Sequence, residues 1–229
     1  MLRIGLAMLQ GARHEHIEAL MHASLEVGLQ IEIVELRKAV QIDSNISALI
    51  LPGGESTAMR KASQSESLLG GIFDWMDKYP NRPVLGTCAG AILLSNPGED
   101  RKPYISAKIS RNAWGRQRQS FEAPLDVLLD TPKSIATEEL ELQRDHFNHK
   151  PLKMSHEAAS TNQEFYPGVF IRAPRFLPES INCTTAVTLE NEIVGILDGV
   201  KLALTFHPEL TLDRRFHRWL IVSAKKNYS

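Results

Sequence analysis

The first half of the chain alternates short apolar runs with longer segments in which apolar residues recur every three or four positions. The apolar runs predict buried strands at residues 2–9, 30–36, 47–51 and 83–86. The periodic segments predict helices at residues 13–27 and 57–79, the second broken near Gly70-Gly71, and a further helix from residue 91. Strands that alternate with helices predict βαβ units, and therefore an α/β fold with a mostly parallel central sheet and helices on both faces.

The second half has shorter apolar runs and more charged and turn-forming residues. Strands are predicted at residues 104–109, 121–125, 169–171, 185–189, 192–197 and 201–206. A terminal helix is predicted at residues 213–225, with four apolar side chains available to face the core: Phe216, Trp219, Leu220 and Val222. Residues 145–166 show neither helical nor strand periodicity, which predicts an exposed loop or insertion around residues 131–166 within a single domain that spans residues 1–229.

The amino-acid composition argues against some classes of partner but does not indicate a type of reaction. Of the 229 residues, 43% are hydrophobic and 23% charged, and the formal net charge is -1. That balance gives no reason to expect nucleic acid or an anionic membrane as a partner, and no stretch looks long enough to span a bilayer. The apolar N-terminus is interpreted as a first strand and not as a signal peptide. Because Cys88 and Cys183 are the two cysteines, we expect a reduced, cytoplasmic protein.

The strongest local signal is Gly86-Thr87-Cys88-Ala89-Gly90, between a predicted buried strand and a predicted helix. Small residues on both sides of a nucleophile at such a turn are typical of a nucleophile elbow. The turn places the central residue in an unfavourable backbone region, and the flanking glycines avoid Cβ clashes. The first amides of the following helix favour a thiolate over a thiol. Cys88 is therefore a candidate nucleophile, although the pentapeptide alone also fits a small buried thiol.

A thiolate nucleophile needs a base, and the base needs a group that orients it. His207 follows an apolar strand, Pro208 stiffens the turn, and the carboxylate of Glu209 can fold back to the imidazole. Taken alone, this tripeptide also fits a solvated turn. Together with the elbow, it predicts a catalytic triad of Cys88, His207 and Glu209.

A glycine-rich turn, Pro52-Gly53-Gly54-Glu55-Ser56-Thr57, ends the third predicted strand. Its backbone N–H groups can point into a cleft, so Gly54 and Ala89 are candidates for the two donors of an oxyanion hole. The segment also fits a strand–turn–helix connection with Ser56 or Thr57 as the N-cap. Both interpretations can hold, because the cap does not use the glycine amides.

In this order along the chain, residues 52–57, 86–90 and 206–209 resemble the motifs of class I, triad-type glutamine amidotransferases. Other segments resemble one branch of that family, the glutaminase subunits of pyridoxal 5'-phosphate synthase. They are Leu-Gln-Gly-Ala at 9–12, Ser-Arg-Asn-Ala-Trp-Gly-Arg-Gln at 110–117, Ser-Phe-Glu at 120–122 and Phe-Ile-Arg-Ala-Pro at 170–174. The motifs extend over nearly the whole chain. Met8 and Ala91 replace the Gly and Leu expected there, which are conservative changes.

The resemblance implies a three-layer, flavodoxin-like fold and hydrolysis of L-glutamine to L-glutamate and ammonia. Cys88 would form a glutamyl thioester, His207 would take and return protons, and Glu209 would hold the imidazole. The implied substrate-binding residues are Gly54, Glu55, Ser56, Arg111, Ile171 and Arg172. An amino acid substrate needs a cation for its carboxylate and an acceptor for its ammonium group. Arg111 or Arg172 can supply the first and Glu55 the second, although surface solvation is the alternative for both arginines.

The resemblance also implies a partner, because free ammonia escapes to solvent and is protonated. In this family the partner is a (β/α)₈-barrel synthase subunit that uses the ammonia to build pyridoxal 5'-phosphate. Pyridoxal phosphate is then a product of the complex, and we expect no cofactor in this chain. Gln10 follows the first strand, at the edge where ligands gather in open α/β sheets. The resemblance places Gln10 on the partner-facing side and implies that it helps order the oxyanion region.

Three other functions fit parts of the sequence. The first is a glutaminase of another amidotransferase pathway, such as histidine or purine synthesis, against which residues 111–117 and 171–174 argue. The second is a non-catalytic regulatory subunit, against which the intact triad argues. The third is a cysteine peptidase on the same sheet, which labelling of Cys88 by a glutamine analogue would exclude.

Several residues that could carry chemistry are assigned ordinary roles. His146 and His149 have a metal-ligand spacing but no evident third ligand, so we expect no metal site. His14 and His16 are attributed to capping and solvent exposure at a helix start, and Cys183 to a buried structural thiol. The solvated face of the terminal helix is predicted to carry its basic residues, Arg214, Arg215, Arg218, Lys225 and Lys226.

Overall fold

A computed structural model describes residues 1–98, 100–111, 120–135 and 165–227. The strands among these residues are β1 (Leu2–Ala7), β2 (Ile31–Leu36), β3 (Ile46–Leu51), β4 (Val84–Thr87), β5 (Ile109–Ser110), β6 (Ser120–Val127), β7 (Tyr166–Ile171), β8 (Arg175–Phe176), β9 (Thr184–Leu189), β10 (Glu192–Asp198) and β11 (Lys201–Leu204). The α-helices are α1 (Arg13–Glu26), α2 (Ser56–Ser63), α3 (Leu68–Lys78), α4 (Ala89–Ser95) and α5 (Arg215–Asn227).

Nine strands of the described residues form one sheet, in the order β2-β1-β3-β4-β11-β10-β9-β6-β7. The pairs from β2 to β11 are parallel, as the alternation of strands and helices predicts. From β11 onward every neighbouring pair is antiparallel. The second half of the chain therefore extends the parallel sheet with antiparallel strands, of which β9, β10 and β11 follow one another through tight turns, as antiparallel pairing permits.

Helices cover both faces of the sheet, because successive side chains of a strand point to opposite faces. One buried cluster joins β1 and β4 to α1 and α5, and includes Ile4, Leu6, Leu20, Leu85, Phe216 and Trp219. The opposite cluster joins β3 to α2, α3 and α4, and includes Leu49, Leu51, Met59, Phe73, Leu93 and Leu94. The three-layer α/β fold predicted from the sequence is thus confirmed. Among the described residues, no helix has the length and apolar character needed to cross a membrane.

The break in the helical segment 57–79 was predicted in the wrong place. The chain leaves the helix between α2 and α3, where Ser67 has a φ of 51° and the hydroxyl of Ser63 accepts a 2.7 Å hydrogen bond from the amide of Leu69. Gly70 and Gly71 lie inside α3. Gly71 is required by packing, since a Cβ there would lie 2.9 Å from the Cβ of Ala39.

Most predicted elements of the second half are confirmed with small shifts at their ends. The strand predicted at 104–109 is reduced to β5, which pairs with β8, a two-residue strand too short to leave a sequence signal. In α5 it is Ile221 that is fully buried, whereas Val222 is only half-buried. Most of the loop predicted at 131–166, including His146 and His149, lies outside the described residues.

Candidate active site

Four neighbouring parallel strands carry the predicted site residues at their carboxyl ends. In the order of the sheet these are β1 with Gln10, β3 with Gly53-Gly54, β4 with Cys88 and β11 with His207. The carboxyl edge of a parallel sheet is where ligands bind in open α/β folds. Residues that are up to 197 positions apart in sequence therefore meet at one edge because the topology brings these four strands together.

Cys88 lies on the strand-to-helix turn between β4 and α4, with a φ of 48° and a ψ of -105°. Its amide donates a 2.8 Å hydrogen bond to the carbonyl of Leu204, which fixes the turn against β11. The flanking glycines have the steric role that the sequence predicts. A Cβ at Gly90 would lie 1.9 Å from the carbonyl oxygen of Leu51, and one at Gly86 would lie 2.7 Å from a methyl carbon of Leu94. The Cys88 side chain is thus held in an unfavourable backbone conformation by close packing on both sides.

His207 lies beside Cys88, and both belong to the buried interior. The Nδ1 atom of His207 is 2.8 Å from Oε1 of Glu209, which leaves Nε2 for the thiol side of the ring. Gly53 packs behind this pair, since a Cβ at that position would lie 2.5 Å from Cε1 of His207 and 3.4 Å from Cβ of Cys88. The structure therefore brings the three predicted triad residues together, with Gly53 against two of them.

The turn at Pro208–Leu210, which carries Glu209, is braced from two directions. The hydroxyl of Tyr166 lies 3.3 Å from the carbonyl oxygen of Pro208 and 3.0 Å from the hydroxyl of Thr211. The guanidinium of Arg214 is buried and donates hydrogen bonds to the carbonyls of Glu209 and Thr211. Such bracing holds a carboxylate in one orientation towards its histidine.

Burial and charge oppose each other at the histidine–carboxylate pair. Burial alone would lower the pKa of His207, but the Glu209 carboxylate and the Cys88 side chain outweigh it and raise that pKa to about 10. Burial would likewise raise the pKa of Glu209, but the imidazoles of His16 and His207 bring it below its usual value. At neutral pH the raised pKa therefore keeps His207 as an imidazolium beside the Glu209 carboxylate.

The glycine-rich turn after β3 is linked to Gln10. The side-chain oxygen of Gln10 accepts a 2.9 Å hydrogen bond from the amide of Glu55, and it would lie 3.1 Å from a Cβ at Gly54, whose φ is 139°. On the other side, a Cβ at Gly11 would lie 2.1 Å from the carbonyl oxygen of Gly53. Both close approaches require glycine, so the peptide between Gly53 and Gly54 is packed against the segment that follows β1.

The N-cap of α2 is Glu55, and the prediction that Ser56 or Thr57 would cap this helix is wrong. The Glu55 carboxylate accepts hydrogen bonds from the amides of Thr57 and Ala58, at 2.9 and 2.7 Å. These two amides lower the pKa of Glu55. A carboxylate satisfies two orphan amides at once and also suits the positive end of the helix dipole, which explains why it displaces a hydroxyl here. The Ser56 side chain is buried instead.

The remaining candidate residues are Arg111, which contacts α2, and Ile171 and Arg172, which lie at the end of β7. Arg111 donates a 3.1 Å hydrogen bond to the hydroxyl of Thr57, at the first turn of α2. Ile171 ends β7, and its side chain is exposed despite being large and apolar. Arg172 is exposed and has a φ of 44°, an uncommon conformation for a residue with a side chain. This end of β7 is tied to the triad, because the amide of His207 donates a 2.8 Å hydrogen bond to the carbonyl of Val169.

Some residues that the sequence assigned to solvent are buried. His16 has no exposed surface and lies 3.4 Å from the Glu209 carboxylate, so capping and exposure do not explain it. Arg214 is also buried, and Arg218 forms an ion pair with Glu26 of α1. No local pattern marks the contacts of His16 and Arg218, since each joins a helix to a distant part of the chain. Cys183 is half-buried, and burial raises the pKa of its thiol.

Within the part of the chain that the structure describes, no group of three or more His, Cys, Asp or Glu side chains is arranged to hold a metal ion. The chemistry that the described groups support is covalent catalysis by a thiolate. A nucleophile, a base and an orienting carboxylate in contact form the arrangement that acyl transfer uses.

Comparisons with known proteins point to one family. The model of the SNO glutamine amidotransferase family matches residues 6–137 and 133–226. The chain is 34% identical to pyridoxal 5'-phosphate synthase subunit PdxT of Thermococcus onnurineus, over 98% of this chain and 100% of that protein. It is also 34% identical to the same-named subunit of Methanosarcina acetivorans, over 96% of this chain and 97% of that protein.

Comparison with solved structures is consistent with this family. A crystal structure described as a glutamine amidotransferase superimposes with a TM-score of 0.69 at 30% identity and covers 97% of this chain and 98% of its own. A glutamine amidotransferase from Thermotoga maritima, at 13% identity over 99% of this chain and 91% of its own, has a TM-score of 0.55 and shares the fold. The resemblance inferred from the motifs is thus confirmed, and this chain belongs to the SNO glutamine amidotransferase family.

Proposed function

We propose that this chain hydrolyses the side-chain amide of L-glutamine, with Cys88 as the nucleophile, His207 as the proton carrier and Glu209 as the group that orients His207. The observation that carries the proposal is the buried contact between His207 and Glu209 beside Cys88. This contact lies at the carboxyl edge of the sheet, where Cys88 occupies a strained elbow. Membership of a glutamine amidotransferase family supplies the substrate.

The raised pKa of His207 determines how the reaction starts. With a pKa of about 10, the imidazole already holds a proton at neutral pH, and the attacking group is the Cys88 thiolate, the nucleophilic form of cysteine. The sulfur adds to the amide carbon of glutamine and the carbonyl oxygen becomes an oxyanion. His207 then gives its Nε2 proton to the leaving nitrogen, the C–N bond breaks, and ammonia departs from a glutamyl thioester.

The second half of the reaction uses the same groups in the reverse order. His207, now neutral, takes a proton from a water molecule, whose oxygen attacks the thioester carbon. The C–S bond breaks, glutamate leaves, and the proton on His207 restores the imidazolium–thiolate pair. Glu209 stabilises the imidazolium at each stage and does not itself need to take the proton.

An oxyanion hole requires backbone donors beside the nucleophile. We assign this role to two N–H groups. One belongs to Ala89, the first residue of α4, and the other to Gly54, which follows Gly53 on the turn that packs against His207. One such donor contributes on the order of 3 kcal/mol to transition-state stabilisation. Gly54 is held from outside the site by Gln10, so the position of its amide depends on the segment after β1.

The substrate's amino acid group needs recognition by charge. Arg111 and Arg172 are candidates for the carboxylate of glutamine. Arg111 contacts Thr57, next to Glu55 and Ser56, and Arg172 is exposed at the end of β7. The Glu55 carboxylate is already a helix cap. We therefore assign Glu55 two functions: it shapes the Gly54–Ser56 segment, and its outward side attracts the ammonium group of glutamine. Ile171, exposed at the end of β7, supplies an apolar wall for the methylene groups.

We further propose that the ammonia passes to a (β/α)₈-barrel subunit that makes pyridoxal 5'-phosphate. The curated relatives are named as subunits of pyridoxal 5'-phosphate synthase. In this chain, the side chain of the exposed Gln10 accepts a hydrogen bond from the amide of Glu55. A partner that contacts Gln10 would therefore change the position of the turn that carries Gly54, the proposed oxyanion donor. The cytoplasmic location and the arrangement of residues 1–229 as a single domain stay predictions.

A glutaminase assay with the assembled complex tests this proposal. The chain is mixed with a pyridoxal phosphate synthase barrel subunit, and glutamate release is measured for the wild type, Cys88→Ala and the control Cys183→Ala. We expect stimulation by the barrel subunit, no detectable release by Cys88→Ala, and wild-type rates for Cys183→Ala. Equal rates for Cys88→Ala and the wild type would reject Cys88 as the nucleophile, and equal rates with and without the barrel would reject the partner.

A further inference from the structure

Two histidines that the mechanism does not use lie buried behind the triad. They are His16 on α1 and His217 on α5, and neither has any exposed surface. The Nε2 atom of His16 is 3.4 Å from Oε2 of Glu209 and 3.4 Å from the hydroxyl oxygen of Thr87. The Nδ1 atom of His16 is 3.0 Å from Nε2 of His217. The Glu209 carboxylate therefore lies between two imidazoles, with His207 on Oε1 and His16 on the side of Oε2.

Both buried histidines are neutral at neutral pH. For His16, burial lowers the pKa most, opposed by Glu209 and Glu15 and assisted by His207 and Arg214. For His217, burial again lowers the pKa most, assisted by its charged or ionisable neighbours His16, Arg214 and Arg218. A neutral imidazole carries one N–H donor and one bare acceptor nitrogen.

The network determines which nitrogen of each ring carries the proton. A bare lone pair on Nε2 of His16 would face the negative Glu209 carboxylate, so Nε2 carries the hydrogen. Nδ1 of His16 then accepts, which requires that His217 donates from its own Nε2. The second nitrogen of His217 is buried without a hydrogen-bond partner among the described residues, as suits a bare lone pair. The opposite tautomers would bury an unsatisfied N–H group there, which is unfavourable.

The surroundings of the Oε2 atom of Glu209 indicate how His16 can stabilise the Glu209 carboxylate. Oε2 is buried and has no hydrogen bond within the described ranges, and the Nε2 atom of His16 lies 3.4 Å from it. A buried carboxylate without compensation is unfavourable or takes up a proton. A protonated Glu209 would no longer hold the imidazolium of His207.

We propose that His16 is a positioning residue of the active site, which holds the second oxygen of Glu209 through its Nε2–H group, and that His217 fixes the tautomer of His16. His16 does not touch the substrate and acts through Glu209. This inference rests on the proposed triad, because it gives Glu209 the role of orienting His207. It makes α1 and α5 part of the catalytic support, beyond the strands that carry the triad.

The test compares amide side chains of different reach at position 16. His16→Gln can place an N–H donor near Oε2 of Glu209, whereas His16→Asn can reach His217 but not Glu209. His16→Leu fills the space without a donor, and His14→Leu, on an exposed position of the same helix, is the control. Two quantities are measured: the pH midpoint for alkylation of Cys88 by iodoacetamide in the chain, and kcat and KM for glutamine in the complex with the barrel subunit.

We expect the alkylation midpoint to rise by about one pH unit in His16→Asn and His16→Leu, since a charge-assisted hydrogen bond is worth roughly that much. The same variants should lower kcat about tenfold with KM nearly unchanged. His16→Gln should recover most of both effects, and His14→Leu should match the wild type. If His16→Leu fails to fold, the comparison of Gln with Asn decides.

Two results would overturn the inference. One is an alkylation midpoint and a kcat in His16→Asn that equal those of His16→Gln. The other is a folded His16→Leu with wild-type values. Failure of the proposed function looks different, because then the wild type itself releases no glutamate or Cys88→Ala keeps its activity.

Discussion

The backbone of Gly53 lies so close to the ring of His207 that a Cβ atom there would be 2.5 Å from Cε1 of the imidazole. The same Cβ would be 3.4 Å from Cβ of Cys88. Gly53 thus sets the space in which the nucleophile and its base meet. The glycine-rich turn after β3, which is expected to supply an oxyanion donor, therefore also packs against two residues of the triad.

Replacing Gly53 with alanine should therefore remove activity without unfolding the protein. The added methyl group must displace the imidazole from the thiol, and misplacement by about 1 Å can reduce the rate on the order of 100-fold. The matched control is Gly70→Ala in α3, where a Cβ meets nothing within 4 Å and should stabilise the helix by about 0.5–1 kcal/mol. Glutamate release and thermal unfolding are measured for both. Wild-type turnover by Gly53→Ala would contradict the proposed role of this turn.

Glu209→Gln tests the orienting carboxylate. The substitution keeps the shape but removes the charge that holds His207 protonated, and the amide can present the wrong group to Nδ1. We expect kcat to fall by up to about 10⁴-fold, as when other buried orienting carboxylates are replaced. Glu32→Gln, a half-exposed carboxylate on β2, serves as the control and should retain full activity. A loss smaller than about tenfold would show that His207 is held in place by packing alone.

The raised pKa of His207 also predicts how stability depends on pH. The folded-state pKa of about 10 lies above the unfolded value near 6.5, so protonated His207 stabilises the fold fully below pH 6.5. That contribution declines as the pH rises, by up to about 1.4 kcal/mol per pH unit. The free energy of unfolding, measured by denaturant between pH 6.5 and 8, should fall more steeply in the wild type than in His207→Gln.

The upper limit of this window avoids the titration of Lys201, and the comparison with His207→Gln cancels the titration of the other histidines. Burial lowers the pKa of Lys201 to about 8, which makes stability rise with pH above that value and partly hides the His207 effect. His14→Gln removes an exposed histidine and controls for the substitution. Identical slopes in the wild type and His207→Gln would mean that His207 titrates as an ordinary histidine.

The two candidate arginines should affect substrate binding more than chemistry. Replacing Arg111 or Arg172 with glutamine removes a charge-assisted contact worth about 1.5–3 kcal/mol, so KM for glutamine should rise at least tenfold with a smaller change in kcat. Arg101→Gln is the control, because Arg101 pairs with Asp74 and Asp77 on α3, away from the site. An unchanged KM in both variants would show that neither arginine binds the substrate.

The parts of the site that the sequence predicts are those with a local chemical pattern. The elbow around Cys88 is recognisable because close packing requires glycine at positions 86 and 90, and both glycines lie within five consecutive residues. The pair of His207 and Glu209 is recognisable because a turn two residues long brings them together. The fold is predictable for the same reason, since apolar runs and helical periods report burial directly.

The parts that the sequence does not predict depend on packing between distant segments. His16 and Glu209 are 193 positions apart, and a histidine after a glutamate at a helix start looks like an ordinary exposed cap. Gly71 resembles a helix break, but it lies inside α3 because Ala39 leaves no room for a side chain. Glu55 takes the N-cap position from Ser56 and Thr57 through contacts with two amides that only the folded turn aligns.

Covalent labelling is the most direct test of Cys88 as the nucleophile. A glutamine analogue with an electrophilic carbon in place of the side-chain amide is incubated with the chain and its barrel partner, and the modified residue is identified by peptide mass mapping. We expect one adduct on Cys88, blocked by excess glutamine, with Cys183 unmodified. Absence of an adduct on Cys88, or labelling of Cys183 at the same rate, would contradict it.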